Sequence, residues 1–440
     1  MASELPELVG KVLSRHPCAG VRWVGYSGGL DSTVLLHLLT RMGLPVRALH
    51  IHHGLSAHAD HWQRHCEGMA ALLGVPIKVR RVQVETAAGG LEQGARRARY
   101  RAFAEQLTDG DQILLAQHGD DQVETFLLRL LRGAGALGLG AMAESRPLPL
   151  AGEGRATLLR PLLGAGRAQL EDYAHACGLD WIEDESNRDT AIERNYLRAR
   201  VLPALAERWP VRARVARAAG NLREAAELLG DLGAVDLAAC QRRRERWGES
   251  VDLGALGRLP ERRQKNLLRS WLASCGAEMP AAQQLDEVLA QVRDAAADSV
   301  PAVAVGGLVA RRFRERLYLT PRLPAVTASA DWRWRGDTIL ALPGGGALSP
   351  GADWPVGDYV VRFRRGGERA HPLGRGHSQT LKKLLQEHGL EPWLRDRVPL
   401  VYRAATTETP IAVGDLFRCE AGLPDALAWR FGWAAGAILD

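Results

Sequence analysis

The sequence predicts an α/β protein, with a parallel-sheet N-terminal domain, a helical middle domain and a small α/β C-terminal domain. Between residues 20 and 205, short β-rich apolar runs alternate with stretches of helical apolar spacing. This alternation is typical of a parallel sheet covered by helices on both faces. After residue 210 the chain becomes rich in Ala, Leu, Arg and Glu as far as about residue 320. We therefore expect domains at residues 1–210, 211–335 and 336–440.

The elements of the N-terminal domain follow from that alternation. Ligands of such sheets bind at the carboxyl ends of the strands. The turns after residues 26 and 117 are rich in glycine and acidic residues, so we expect the functional site there. The expected strands are 21–26, 46–50, 77–82 and 113–116, and the expected helices are 31–41, 57–73 and 91–107.

The C-terminal domain has shorter elements. The Pro- and Gly-rich stretch at 342–357 is interpreted as a linker or loop. Beyond it, β-rich runs at 359–363, 400–402 and 411–413 surround one helix at 380–387. This combination predicts a small α/β module.

Composition narrows the class of protein. A chain of 440 residues is long enough for about three domains. No apolar run is long enough to cross a membrane and the N-terminus lacks a signal-peptide pattern, so we expect a cytoplasmic protein without membrane association. The six cysteines are scattered without a C-x-x-C pair, which argues against a disulfide framework or a zinc ribbon. The net charge of +6 permits a polyanionic partner.

The most informative stretch is S-G-G-L-D-S at residues 27–32, between a predicted strand and a predicted helix. Its paired glycines let backbone N–H groups approach a ligand, and a helix N-terminus attracts anions. It is not the Walker loop, because G-x-x-x-x-G-K-S/T is absent. It resembles the loop of the ATP pyrophosphatase superfamily (PP-loop, adenine nucleotide alpha hydrolase-like), whose members split ATP into AMP and pyrophosphate. The resemblance implies that ATP is bound by Ser27, Gly28, Gly29, Leu30, Asp31 and Ser32.

An acidic cluster follows the predicted strand at 113–116. Asp120 and Glu124 are four residues apart and Asp121 and Glu124 three apart, so a helix places them on one face. Crowded carboxylates favour a cation site beside the phosphate loop. The alternative is structural, because carboxylates at a helix N-terminus offset part of their repulsion against the helix dipole.

Six segments together resemble the tRNA(Ile)-lysidine synthetase family, and the resemblance spans nearly the whole chain. One departure is Gly119, where the family pattern leads us to expect a larger residue and where the glycine would loosen the helix start. The segments are SGGLDST (27–33), HHGLSAHAD (52–60), EQGARRARY (92–100), HGDDQVETFLLRLLRG (118–133), RNYLRARVLP (194–203) and the stretch 363–402.

The resemblance implies a two-step reaction. ATP adenylates O2 of the wobble cytidine (C34) in a tRNA(Ile) with a CAU anticodon, and the ε-amine of free L-lysine then displaces AMP at C2. Mg²⁺ would be held by Asp31 or Asp121, and Arg96 and Arg99 would neutralise charge on phosphate. The implied catalytic residues are Asp31, Asp121, Arg96 and Arg99, and the implied lysine or Mg²⁺ ligands are His118, Asp120, Asp121 and Glu124.

The tRNA would be held through phosphate contacts from basic side chains beyond the phosphate loop. The implied tRNA-binding residues are Asn195, Arg198, Arg200, Arg364, Arg365, Lys382 and Lys383, with Arg194, Arg242, Arg243, Arg244, Arg262, Arg263 and Arg369 as further candidates.

Two other functions stay open. A tRNA thiolase shares this loop but needs reactive or cluster-binding cysteines, which are absent around these motifs. A non-catalytic tRNA-binding protein on the same fold would not need the intact loop and acidic cluster. A homodimer is also open, since Trp429, Phe431 and Trp433 form either a contact surface or core.

Overall fold

The computed structural model describes residues 4–85, 90–151, 154–185, 189–294, 301–326 and 330–432. The chain forms two compact units, Met1–Glu227 and Leu228–Asp440. The division into three domains at residues 210 and 335 stays a prediction.

The first unit is built on a six-stranded sheet with the order β3-β2-β1-β4-β6-β5. Five strands are parallel, and only the edge strand β5 pairs antiparallel, with β6. The predicted parallel sheet is therefore confirmed. The strands are β1 (Arg22–Gly25), β2 (Val46–His52), β3 (Ile77–Arg81), β4 (Gln112–Leu114), β5 (Ser145–Pro149) and β6 (Arg155–Leu159).

Both faces of this sheet are buried, which explains why its strands are continuous apolar runs in the sequence. Successive residues of one strand point to opposite faces. Val24 accordingly packs with Leu35 and Leu170 in one core cluster, while its neighbour Trp23 packs with Phe103 in another.

Helices cover the two faces, and the three that the sequence predicted in this unit are confirmed with small shifts at their ends. The helices are α1 (Glu4–Arg15), α2 (Leu30–Arg41), α3 (Ala59–Leu72), α4 (Gly90–Gln106), α5 (Gly119–Leu131), α6 (Ala136–Leu139), α7 (Arg167–Ala176), α8 (Glu193–Tyr196), a π-helical turn at Leu197–Val201 and α9 (Leu202–Ala206). A long helix, α10 (Val211–Ala239), contains the boundary between the two units.

The second unit begins with helices and a five-stranded antiparallel sheet of order β7-β8-β11-β10-β9. The helical character expected after residue 210 is confirmed, but this sheet was not predicted from the composition. The elements are β7 (Arg243–Arg244), β8 (Glu249–Asp252), α11 (Leu253–Arg258), α12 (Glu261–Ser274), α13 (Ala282–Asp294), β9 (Ala302–Val305), β10 (Leu308–Phe313) and β11 (Arg316–Thr320).

The rest of the second unit holds three small antiparallel sheets, of orders β12-β15-β18-β19-β20, β13-β14-β21 and β16-β17. The elements are β12 (Asp331–Trp334), β13 (Leu340–Leu342), β14 (Gly346–Pro350), β15 (Tyr359–Arg362), β16 (Arg369–Ala370), β17 (Gln379–Thr380), α14 (Leu381–Glu387), a 3₁₀ helix (Pro392–Arg397), β18 (Leu400–Arg403), β19 (Ala412–Val413), β20 (Phe417–Arg418) and β21 (Leu427–Arg430).

The interpretation of residues 342–357 as a linker or loop is wrong. Strand β14 lies in this stretch and pairs with both β13 and β21. Leu348 and Trp354 are buried there. Gly344 and Gly346 have φ angles of +71° and +82°, so the glycines form the turn of a hairpin.

The apolar stretch near the C-terminus is core up to Phe431. Trp429 is 1% exposed and donates its indole N–H to the Gly345 carbonyl at 2.7 Å. Trp433 lies outside the described residues. In the described part of the chain, no helix combines the length and apolarity needed to cross a membrane.

Candidate active site

The loop between β1 and α2 is held by its own hydroxyl groups. The Ser27 amide donates to Ser32 Oγ at 3.3 Å, and Ser32 Oγ donates to the Gly29 carbonyl at 3.0 Å. Gly28 has a φ of +83°, and a Cβ there would lie 2.7 Å from Ile182 Cδ1 and 2.8 Å from Cys66 Sγ. Both the backbone angle and the close approach therefore require glycine at position 28.

A segment distant in sequence fixes the loop. The Ile182 amide donates to the Gly28 carbonyl at 2.9 Å, and Ile182 forms a parallel bridge with Gly29. The sequence analysis missed Ile182, because a single apolar residue carries no motif.

Asp31 lies in the first turn of α2, behind the loop. The N-cap residue of this helix is Gly29, so Asp31 does not cap the helix with its side chain. Asp31 Oδ1 is buried and has no hydrogen-bond partner among the described residues, and Oδ2 lies 3.6 Å from His118 Nε2. A buried carboxylate oxygen without a partner indicates a position for a bound ligand or ion.

His118 joins the loop to the acidic helix. Its buried ring lies at the N-cap of α5, with Nε2 3.6 Å from Asp31 Oδ2 and 3.6 Å from Asp121 Oδ2, and Nδ1 3.4 Å from Asp120 Oδ2. Burial alone would lower the pKa of His118, but the three carboxylates outweigh burial and raise this pKa to about 10. At neutral pH the ring is therefore an imidazolium.

The charge state of His118 also decides how the helix begins. The Asp120 amide lies 3.3 Å from His118 Nδ1, the geometry of a cap in which a neutral imidazole accepts. An imidazolium has no free lone pair and instead donates Nδ1–H to the Asp120 carboxylate. The Asp121 carboxylate accepts from the His118 amide at 3.0 Å in either state.

Asp120 is strongly stabilised as an anion. Its hydrogen bond with His118 outweighs burial, and together with the Arg167 amide at 2.8 Å it lowers the pKa of Asp120 to about 2. A carboxylate of such low pKa orients a cation well but accepts a proton poorly.

Glu124 is the anchor of a buried ion-pair network. Its side chain is 1% exposed; Oε2 lies 2.6 Å from Arg194 Nε, and Oε1 lies 2.7 Å from Arg198 Nε. Arg194 also lies 3.2 Å from Asp121 Oδ1. The network brings the segment 194–203 to the acidic helix. The sequence predicted these two motifs but not their contact.

Arg96 and Arg99 both lie over the Tyr100 ring, at 4.8 Å and 5.9 Å from its centre, but they differ in their hydrogen bonds. Arg99 Nε is buried without a hydrogen-bond partner in the described chain, as is His53 Nδ1. Burial and then the charge of Arg99 lower the pKa of His53 to about 4, so His53 is neutral at physiological pH. Arg96 instead donates a hydrogen bond to Tyr100 at 3.2 Å.

Gly119 does not loosen the helix start as the sequence suggested. A Cβ at this position would lie 2.8 Å from the Ala165 carbonyl oxygen, which accepts from the Gly119 amide at 2.7 Å. The glycine permits a close backbone approach and fixes the start of α5.

The residues predicted to bind tRNA fall into two groups. One group already has partners within the protein: Asn195 donates to the Asp189 carbonyl, Arg198 pairs with Glu124, Arg364 with Asp396, and Arg365 with Asp331. The other group is exposed and has no ion pair in the described chain: Arg200, Lys382 and Lys383. Most of the further candidates also have partners within the protein: Arg194 pairs with Glu124, Arg242 with Glu249 and Arg263 with Asp236. Arg369 donates a hydrogen bond to Ser378, and Arg243 donates one to Gln241. Arg262 is exposed.

A parallel α/β sheet whose first strand runs through S-G-G-x-D-S into a helix defines an ATP-binding domain of the PP-loop class. A family model described as "PP-loop domain" matches residues 8–205. Two further family models match residues 252–318, as "TilS substrate binding domain", and 359–433, as "TilS substrate C-terminal domain".

The full-length relatives identify the family. A tRNA(Ile)-lysidine synthase from Pseudomonas aeruginosa is 44% identical over 94% of this chain and 94% of its own length. A second, from Methylococcus capsulatus, is 43% identical over 88% of this chain and 90% of its own length. The chain belongs to the tRNA(Ile)-lysidine synthase family, and the predicted resemblance is confirmed.

Among solved structures, a U34-tRNA thiolase from Methanococcus maripaludis matches 50% of this chain and 79% of its own, with 15% identity and a TM-score of 0.42. This likeness is too weak to support the thiolase alternative over the family membership.

Proposed function

We propose that the protein ligates L-lysine to C2 of the wobble cytidine of a tRNA(Ile) with a CAU anticodon, consuming ATP and releasing AMP and pyrophosphate. The observation that carries this proposal is the contact of His118 with both Asp31 of the phosphate loop and Asp121 of the acidic helix. In a chain of this family, this contact supports a single site for ATP and a cation at the loop 27–32 and the start of α5.

The first step forms a bond between the cytidine O2 and the α-phosphorus of ATP and releases pyrophosphate. Ser27, Gly28, Gly29, Leu30, Asp31 and Ser32 would hold the ATP. Asp31 fits Mg²⁺, because its Oδ1 is buried without a partner among the described residues and Mg²⁺ commonly uses one or two carboxylates, completing its shell with phosphates and water. Bound Mg²⁺ would neutralise charge on the phosphates.

Arg99 is suited to the same step. Its guanidinium is buried, and its Nε has no hydrogen-bond partner in the described chain. An unpaired guanidinium N–H would bind a phosphate oxygen and stabilise the charge that develops there.

The second step joins the lysine ε-nitrogen to C2 and breaks the bond from C2 to the adenylated oxygen, so AMP leaves. The amine must first lose a proton, which at pH 7 costs about 4.6 kcal/mol for a group of pKa 10.4. Asp120, with a pKa of about 2, would orient the ammonium and not accept its proton. We assign proton acceptance to Asp121, and we assign to Glu124 the role of holding Arg194 and Arg198 in place.

The tRNA would be bound through exposed basic residues in both units, of which Arg200, Lys382 and Lys383 have no internal ion pair in the described chain. A tRNA substrate and this composition lead us to infer a cytoplasmic location. A homodimer stays a prediction, and light scattering of the purified protein would test it.

The test is incorporation of radiolabelled lysine into a tRNA(Ile) transcript with a CAU anticodon. We expect labelling that requires ATP and is lost when C34 is replaced by uridine. Asp121→Asn should reduce labelling by at least a hundredfold, because it removes the proton acceptor without changing side-chain size. Asp172→Asn, at a carboxylate outside the site, is the control. Labelling at the wild-type rate by Asp121→Asn would refute the assignment, whereas release of AMP without labelling by the wild type would refute lysine as the nucleophile.

A further inference from the structure

A basic pocket lies on the N-terminal unit, on helix α4 and the edge strand β5. We call it the arginine–tyrosine pocket; it is a cavity of about 380 Å³ lined by Gln93, Arg96, Arg97, Tyr100, Arg146 and Leu148. Leu148 is buried, and the Tyr100 ring packs 5.8 Å from the ring of Phe103. The ring at the centre of the pocket is therefore fixed by the hydrophobic core.

Three guanidinium groups lie over the Tyr100 ring, and that of Arg99 is the farthest, at 5.9 Å from the ring centre. The Arg96 and Arg146 guanidinium carbons lie 4.8 Å and 4.9 Å from the centre of the Tyr100 ring, and Arg96 Nη2 donates to the Tyr100 hydroxyl at 3.2 Å. A guanidinium stacked on a fixed ring keeps its edge N–H groups available and loses little side-chain entropy on binding a phosphate.

Two of the three arginines that line the pocket have no counter-charge within the described chain. Neither Arg96 nor Arg146 has a carboxylate within 4.0 Å there. Burial raises the pKa of Tyr100, but Arg96, Arg146 and the buried Arg160 outweigh burial and lower it. Unpaired arginines beside an aromatic ring form a site for an anion.

The part of the pocket formed by β5 lies away from the strand that leads into the phosphate loop. Strand β5 lies at the edge of the sheet, three strands from β1, which leads into the loop. At about 4.8 Å between neighbouring strands, that offset is roughly 14 Å. On α4, Arg99 also lies over the Tyr100 ring, so ATP binding has to be measured beside RNA binding to tell the two anions apart.

We propose that the arginine–tyrosine pocket binds a backbone phosphate of single-stranded RNA in the anticodon loop of the substrate, with Tyr100 as the platform that orients Arg96 and Arg146. This inference rests on the proposed function, because it takes a tRNA as the substrate. It changes the role of Arg96 from neutralising ATP, as the sequence suggested, to positioning the RNA.

The experiment compares Arg146→Gln, Arg96→Gln and the double variant with a matched control, Arg47→Gln. Arg47 is also exposed and also lies over an aromatic ring, 5.6 Å from the centre of Trp23, outside the pocket. The dissociation constant of the tRNA is measured at 50 and 200 mM salt by filter binding, and that of ATP is measured without tRNA. Each lost phosphate contact should reduce the ratio of the two tRNA constants by about threefold.

We expect Arg146→Gln and Arg96→Gln to bind tRNA more weakly and with less salt dependence than the wild type. Arg47→Gln should show neither change. Arg146→Gln should bind ATP as the wild type does. Tyr100→Phe should retain most of the binding and Tyr100→Leu should lose it, because only the former keeps the platform. Equal salt dependence in Arg146→Gln and Arg47→Gln would overturn the proposal. The proposal would also be overturned if Arg96→Gln bound tRNA as the wild type does but bound ATP more weakly. If the wild type binds tRNA with this salt dependence but attaches no lysine, the proposed function fails while the pocket assignment stands.

Discussion

The carboxylates of Asp31, Asp120 and Asp121 surround the buried ring of His118. The hydrogen bonds between the ring and these carboxylates depend on whether the ring is protonated. The sequence predicted all four residues, since each lies in a motif at the carboxyl end of a strand. It did not predict which of them touch, because the pairing of Asp31 with His118 depends on β1 and β4 being neighbours in the sheet. Sequence spacing carries no information on that neighbourhood.

The charge of His118 predicts a loss of stability at high pH. Its pKa of about 10 in the folded protein lies above the unfolded value of about 6.5. The stabilisation is therefore complete below pH 6.5 and is lost as the pH rises towards 10. His118→Gln should cost about 2–4 kcal/mol at pH 7, and its free energy of unfolding should fall less than that of the wild type between pH 7 and pH 10. Urea unfolding at several pH values measures both.

The control is His61→Gln, which changes an exposed histidine without a partner in the described chain. Its unfolding free energy should follow the wild type across the same range. Parallel curves for His118→Gln and the wild type would show that His118 carries no charge in the folded protein.

At the scale of elements, ion pairs between residues about seventy positions apart join helix α5 to the segment 194–203. Glu124 meets Arg194 and Arg198, which are separated from it by 70 and 74 residues. Helical periodicity predicted that each motif lies on a helix. The docking of the two segments, and the π-helical turn at Leu197–Val201, follow from tertiary contacts that periodicity does not encode.

Removing the Glu124 charge should detach this segment. Glu124→Gln leaves two half-buried guanidinium groups without their counter-charge and should cost about 2–3 kcal/mol in unfolding free energy. Glu193→Gln is the control, because Glu193 pairs with Arg132 at the surface and its loss should cost under about 1 kcal/mol. A double-mutant cycle of Glu124→Gln with Arg194→Gln should give a coupling of about 1–2 kcal/mol. Equal costs for the Glu124 and Glu193 variants would contradict a buried network.

At the scale of the whole molecule, the two units differed in how well the sequence predicted them. The strands of the first unit are buried on both faces and read as apolar runs, so the parallel sheet followed from pattern alone. In the second unit, strands of two to six residues pair across long stretches of chain, as β14 does with β21. Strands this short give little periodic signal, and their glycine turns resembled a linker.

Basic residues of the second unit should contribute to tRNA affinity and leave ATP binding unchanged. Lys382 and Lys383 are exposed and have no ion pair in the described chain. Replacing both with glutamine should weaken tRNA binding at 50 mM salt by about tenfold. Lys265→Gln is the control, because Lys265 already pairs with Glu261 and Asp286. Weakening by the control as large as that by the double variant would mean that only net charge matters.

The π-helical turn at Leu197–Val201 has a consequence for how this segment tolerates insertions and deletions. A π turn inside a helix accommodates one residue more than regular winding would. Deleting Ala199 should therefore restore an α-helix, leave Arg194 and Arg198 on Glu124, and keep the residues that follow in their present orientation. We therefore expect this turn to tolerate the loss of one residue better than the regular turns of α10, where a deletion would rotate the rest of the helix by about 100°.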